Sequence, residues 1–130
     1  MITALIGALT GGGVMVTLWR TGMLSERSGL AVLLAAIAAF YPAFAAQNGD
    51  IGETALHVGI FAAFSLLALI GFRNGAYIIA GGLIAHGVFD AGLYFLGAPG
   101  PTWWPAFCGA FDIVAGGVLI RLLQSRKVPQ

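Results

Sequence analysis

The chain has 130 residues, of which six are Lys or Arg, five Asp or Glu and two His. Charged residues make up 8% and hydrophobic ones 59%, against about 25% charged in an ordinary soluble domain, and the mean hydropathy is +0.95. This excludes a water-soluble globule and a disordered chain, which needs low hydrophobicity and high charge; a net charge of +1 also excludes a nucleic-acid binder, which needs a basic patch.

The bilayer is the remaining solvent. A membrane-spanning helix needs about 20 mostly apolar residues, and the chain offers such segments in succession. The first is 2–19, ending before Arg20; no Lys/Arg-rich segment precedes it, so it reads as a retained transmembrane helix rather than a cleaved signal. The second is 29–46, after the polar turn Ser25-Glu26-Arg27-Ser28. Pro42 lies inside it and should kink the helix or end it early. The third is 53–72, after Gln47-Asn48-Gly49-Asp50, where Asn48 and Asp50 read as turn residues. The fourth is 76–96, after Arg73-Asn74-Gly75. The fifth is 105–123, preceded by a loop with Pro99 and Pro101 and by Trp103-Trp104, with Pro105 at its first position. The fold class is therefore all-α: one domain, 1–130, built as an integral membrane bundle of five transmembrane helices. The single cysteine, Cys108, excludes an internal disulfide.

The cations set an orientation. Arg20 and Arg27 lie between helices one and two, Arg73 between three and four, and Arg121, Arg126 and Lys127 at the C-terminal end. With five spans these regions share one side, and the positive-inside rule puts the N-terminus outside and the C-terminus in the cytoplasm. The membrane this suggests is a bacterial inner membrane. Trp103 and Trp104 fit an outer aromatic belt and Trp19 an inner one. Many of the 20 glycines lie inside helices, where small residues let transmembrane helices approach closely. Gly7-x-x-x-Gly11 fits tight packing within one bundle and also offers a face for a homo-oligomer.

Ionisable residues inside a membrane cost about 2.5–3.5 kcal/mol each, so they face a bundle interior or a cavity. The candidates are Glu53, His57, His86, Asp90 and Asp112. At 1.5 Å per helical residue, Glu53 lies at the outer surface, His57 roughly 8 Å deep, Asp90 roughly 9 Å, Asp112 roughly 10 Å and His86 roughly 15 Å. All five fall in the outer half. Glu53 and His57, His86 and Asp90, and Cys108 and Asp112 are each i, i+4 pairs on one helix face. Tyr41 and Tyr94 lie at similar depth and read as interfacial anchors or as supporting groups around the site; Cys108 reads as a small packing residue or a supporting group. One inward cluster would let these groups satisfy one another, whereas scattering would desolvate each alone.

Two imidazoles and several carboxylates match the ligand types of a divalent metal such as zinc or iron. In this reading His57, His86, Asp90 and Asp112 are ligands, Glu53 is the general base at the mouth, and Asp90 also belongs to the catalytic set. The expected activity is metal-assisted chemistry on a lipid-soluble, lipid-like small molecule, at a site opening to the outer face. Three alternatives stand beside it: a metal-free acid/base isomerase, a proton- or cation-relay component of a transporter, and a structural or accessory membrane protein. The inner half holds few polar residues, Thr17 and Ser65 being the main ones, which disfavours a continuous pore in one chain.

Several segments carry a resemblance: Gly71-Phe72-Arg73, Ala85-His86-Gly87-Val88-Phe89-Asp90, Gly97-Ala98-Pro99 and Pro105 through Asp112. Over about half the chain, they resemble a family of small bacterial and fungal polytopic membrane proteins with no assigned activity. The resemblance implies that His86, Asp90 and Asp112 act as a unit, with Glu53 matching an upstream acid. A His pair of that family falls here at Leu93 and Tyr94, a departure that weighs against a His-rich site. At the level of architecture alone, five spans enclosing His and acids also resemble sterol isomerases of the emopamil-binding-protein type.

Overall fold

The computed structural model describes residues 1–128. The helices are α1 (Ile2–Arg20), α2 (Arg27–Ala38), α3 (Phe40–Asn48), α4 (Ile51–Asn74), α5 (Ala76–Leu96) and α6 (Trp104–Gln124), with a 3-10 turn at Met23–Ser25. Because α2 and α3 form one continuous crossing, Arg27–Asn48, five helical units are long and apolar enough to cross a membrane. Each extends at most two residues beyond the sequence-predicted bounds at either end. The polar flanks continue the helices, and Asn74 adds a side-chain bond at the end of α4, its Nδ2 donating to the Ile70 carbonyl at 2.9 Å.

Pro42 acts where its geometry dictates. Its ring clashes with the carbonyl four residues earlier and it offers no N–H, so the interruption falls upstream, at Ala39, between α2 and α3. Helix α4 starts on a cap: the Asp50 side chain accepts from the Glu53 backbone N–H at 2.9 Å. Asp50 is thus an N-cap rather than only a turn residue, and the acid three residues later was the available signal. At the other end of the chain, the Lys127 and Arg126 N–H groups donate to Leu122 O and Leu123 O. Arg126 there adopts the left-handed conformation, φ 52°, that glycine usually supplies in this motif.

Glycine contacts fix the topology. A Cβ on Gly71 would meet Ile79 and one on Gly82 would meet Leu67, so α4 and α5 run antiparallel. Gly87 faces Gly109 and Ile113, while Gly116 faces Ala80 and Ile84, so α5 and α6 are antiparallel too. Gly7 packs on the Phe107 backbone and Gly11 on the Phe111 backbone, which makes α1 and α6 parallel. That is the relation required of the first and last of five consecutive crossings. The Gly7/Gly11 face is thereby filled by α6 of the same chain. The core is lined by Met15, Leu34, Ile79, Leu83, Leu119 and Leu123, all fully buried, while Leu5, Leu9, Leu66, Val88 and Phe95 face outward, as they must in lipid.

Candidate intramembrane metal site

The α5–α6 contact is where the polar residues meet, and glycine makes the meeting possible. A Cβ on Gly87 would lie 2.8 Å from Gly109 O, and one on Gly109 would lie 3.1 Å from both Gly87 O and Asp90 Cβ. With hydrogen at both positions, the two backbones nearly touch. The i, i+4 pair His86/Asp90 on α5 then faces the i, i+4 pair Cys108/Asp112 on α6.

One ligand atom from each of these four residues lies within 4.8 Å of the other three, and no member is more than 3% exposed. His86 Nδ1 and Asp112 Oδ2 are 2.7 Å apart, a short hydrogen bond. The same ring nitrogen is 3.4 Å from Asp90 Oδ2. Cys108 Sγ donates to Asp112 Oδ2 at 3.9 Å. Among the described residues, the only ion-pair contacts are the two from His86 to these acids. Asp90 keeps both oxygens without a hydrogen-bond partner, Asp112 keeps Oδ1, and His86 keeps Nε2.

Such bareness is costly: a buried polar atom without a partner costs about 1–3 kcal/mol, more if charged. The charges do not balance either. Two carboxylates and one imidazole reach neutrality with two protons or with one divalent cation. A tetrahedral ion with bonds near 2.0–2.1 Å holds its N and O ligands about 3.3 Å apart; the 3.4 Å between His86 Nδ1 and Asp90 Oδ2 is close to that, whereas the 2.7 Å between His86 Nδ1 and Asp112 Oδ2 is a hydrogen-bond length that an ion would have to open.

The remaining predicted residues fall around this group. Tyr41 is 1% exposed and therefore no interfacial anchor; the break at Ala39 turns α3 so that its ring points into the core. That ring stacks on His57 at 5.5 Å between centroids and meets the His86 ring at 6.4 Å. His57, 4% exposed, stays outside the group of four and keeps Nδ1 without a partner. Glu53, one turn earlier on α4, is half-buried at the helix start. Tyr94 is 56% exposed and turned away. Phe64 closes the site edge-on to His86 at 4.8 Å, and Phe89 flanks it at 5.9 Å; sequence reasoning did not single out either ring. Cys108 lies within the group, and the signal for it was its i, i+4 relation to Asp112 beside Gly109.

No protein-family model, curated protein or solved structure matches the chain.

Proposed function

We propose that this integral membrane protein holds one divalent metal ion of the zinc or iron type between α5 and α6, and that the ion serves metal-assisted chemistry on a lipid-soluble substrate. The observation that carries this reading is the meeting of four buried ligand-type atoms within 4.8 Å. His86, Asp90 and Asp112 are the ligands; the Cys108 thiol holds Asp112 in place, leaving a fourth position for water or substrate, as catalytic sites require. The ion would supply Lewis-acid activation. A lipid-soluble substrate agrees with a lipid-facing groove of about 390 Å³ whose lining includes Gly87, Ala91 and Gly109, which adjoin His86, Asp90 and Cys108 in sequence.

The cationic residues share one end of the bundle, and Lys127 Nζ lies 4.9 Å above the Trp19 ring, tying the ends of α1 and α6 together. By the positive-inside rule that end is cytoplasmic, the N-terminus is outside and the site lies in the outer half, in a membrane such as a bacterial inner membrane. The two facing motifs, His86-x-x-x-Asp90 and Cys108-x-x-x-Asp112, are those that carry the resemblance to the family described above, and we propose that relationship too.

Elemental analysis of protein purified without chelator tests the reading. One equivalent of zinc or iron is expected in wild type and none in His86→Ala. Cys108→Ala should keep the metal with about 10–100-fold lower affinity, the usual cost of losing a group that orients a ligand. A metal-free wild type that also takes up no added zinc would overturn the proposal.

A further inference from the structure

The buried group needs a route to water, and the fold closes one direction. From His86 toward the cationic end, α5 presents Leu83 and Ile79; from Asp112 in the same direction, α6 presents Ala115 and Leu119, and all four are fully buried. An ion moving that way would cross hydrocarbon with no ligand. The opposite direction is different. Tyr41 Oη and His57 Nδ1 are buried and have no hydrogen-bond partner, although the Tyr41 ring touches the rings of both His57 and His86. One helical turn beyond His57, the Glu53 carboxylate stands at the edge of the protein.

Two uncommitted buried polar atoms in a row call for an explanation, since each costs stability. Neither belongs to the ligand group. Both stand between that group and the half-exposed Glu53, in the order acid, imidazole, phenol, site. Oxygen and nitrogen ligands in sequence are what a cation needs to shed water stepwise rather than all at once.

We propose that Glu53, His57 and Tyr41 form the entrance by which a divalent cation reaches the His86/Asp90/Asp112 group from the end opposite the cationic residues. The proposal rests on the metal reading above and adds its route. Glu53 captures the hydrated ion, His57 Nδ1 takes the place of a lost water, and the Tyr41 hydroxyl passes the ion to Asp90. These residues govern the rate of exchange and not its equilibrium, because they do not hold the ion once it is bound.

The test is stopped-flow zinc exchange on the full-length protein in detergent micelles, with a fluorescent chelator as competitor. His57→Leu and Glu53→Gln should slow loading and release together by about tenfold or more, each tenfold being one decade of barrier, with the dissociation constant unchanged within about twofold. Tyr41→Phe keeps the ring stacking and should slow both rates without the hydroxyl. Should His57→Leu fail to fold, His57→Gln retains a buried polar side chain and should fall between it and wild type. Exchange at wild-type speed in all of these variants would overturn the entrance alone. A weakened dissociation constant in His57→Leu with an unchanged loading rate would also overturn it, by making His57 a ligand. No zinc uptake by wild type would overturn the metal reading and the entrance with it.

Discussion

At the scale of single residues, the question is whether His86, Asp90 and Asp112 are present for stability or for chemistry. Among the described residues, His86 is the one ion-pair partner that the two buried acids share. His86→Leu should therefore leave two desolvated carboxyl groups facing each other and cost about 3–5 kcal/mol, the penalty for breaking a buried charge pair from one side. Removing the whole set is a different experiment. A triple variant, His86→Leu with Asp90→Val and Asp112→Val, has no charge left to desolvate and should recover most of that loss, because a packed apolar core is about as stable as a buried ionic one. Thermal unfolding in micelles checks both. Recovery of stability without metal binding would mark the group as retained for function; a triple variant as unstable as the single one would mark it as a structural network.

At the scale of elements, glycine decides which helix faces meet, and neighbouring glycines do opposite things. A Cβ on Gly116 would sit 2.7 Å from Ile84 Cγ1 and 2.8 Å from Ala80 O, whereas one on Gly117 would meet nothing within 4 Å. Gly116→Ala should force α6 off α5 and cost about 1–3 kcal/mol, as overpacking does. Gly117→Ala should be neutral or stabilising, since alanine is the better helix former. Melting temperatures of the two variants, measured side by side, check this. The contrast shows what sequence can carry at this scale. Span positions are legible within two residues because the length of an apolar run is a one-dimensional property. Which of two adjacent glycines faces a partner is not, because it depends on the rotation of α6 against α5. Tyr41 shows the same limit. Depth along the chain places it toward the Asn48 end of its crossing, but its burial follows from the turn at Ala39, three residues before the proline that causes it. Pro42→Ala should restore a continuous helix, with slower amide hydrogen exchange over 39–43. It should also draw Tyr41 out of the core, read as a red shift lost from its near-UV absorbance.

At the scale of the whole molecule, the layer to which the acids and histidines belong was legible, and the partners within it were not. Counting residues from the helix ends put His57, His86, Asp90 and Asp112 at comparable depth. Only packing separates His57, against Tyr41, from the trio that shares one hydrogen-bonded centre, whereas Cys108 was already tied to Asp112 by its i, i+4 spacing. Depth also has a direction, and the orientation decides which compartment supplies the entrance. Cys108 is the lone cysteine and is buried, so the protein is close to a cysteine-free background for labelling. Thr102 and Ser125 are exposed at opposite ends of α6. In spheroplasts of a bacterial host, a membrane-impermeant maleimide should label Thr102→Cys directly and Ser125→Cys only after lysis. The reverse pattern would place the cationic end outside, against the positive-inside rule. The route past Glu53 would then open to the cytoplasm, and any metal would be drawn from the intracellular pool. Labelling of both positions in intact spheroplasts would mean that α6 does not cross the membrane, against its 21-residue apolar length.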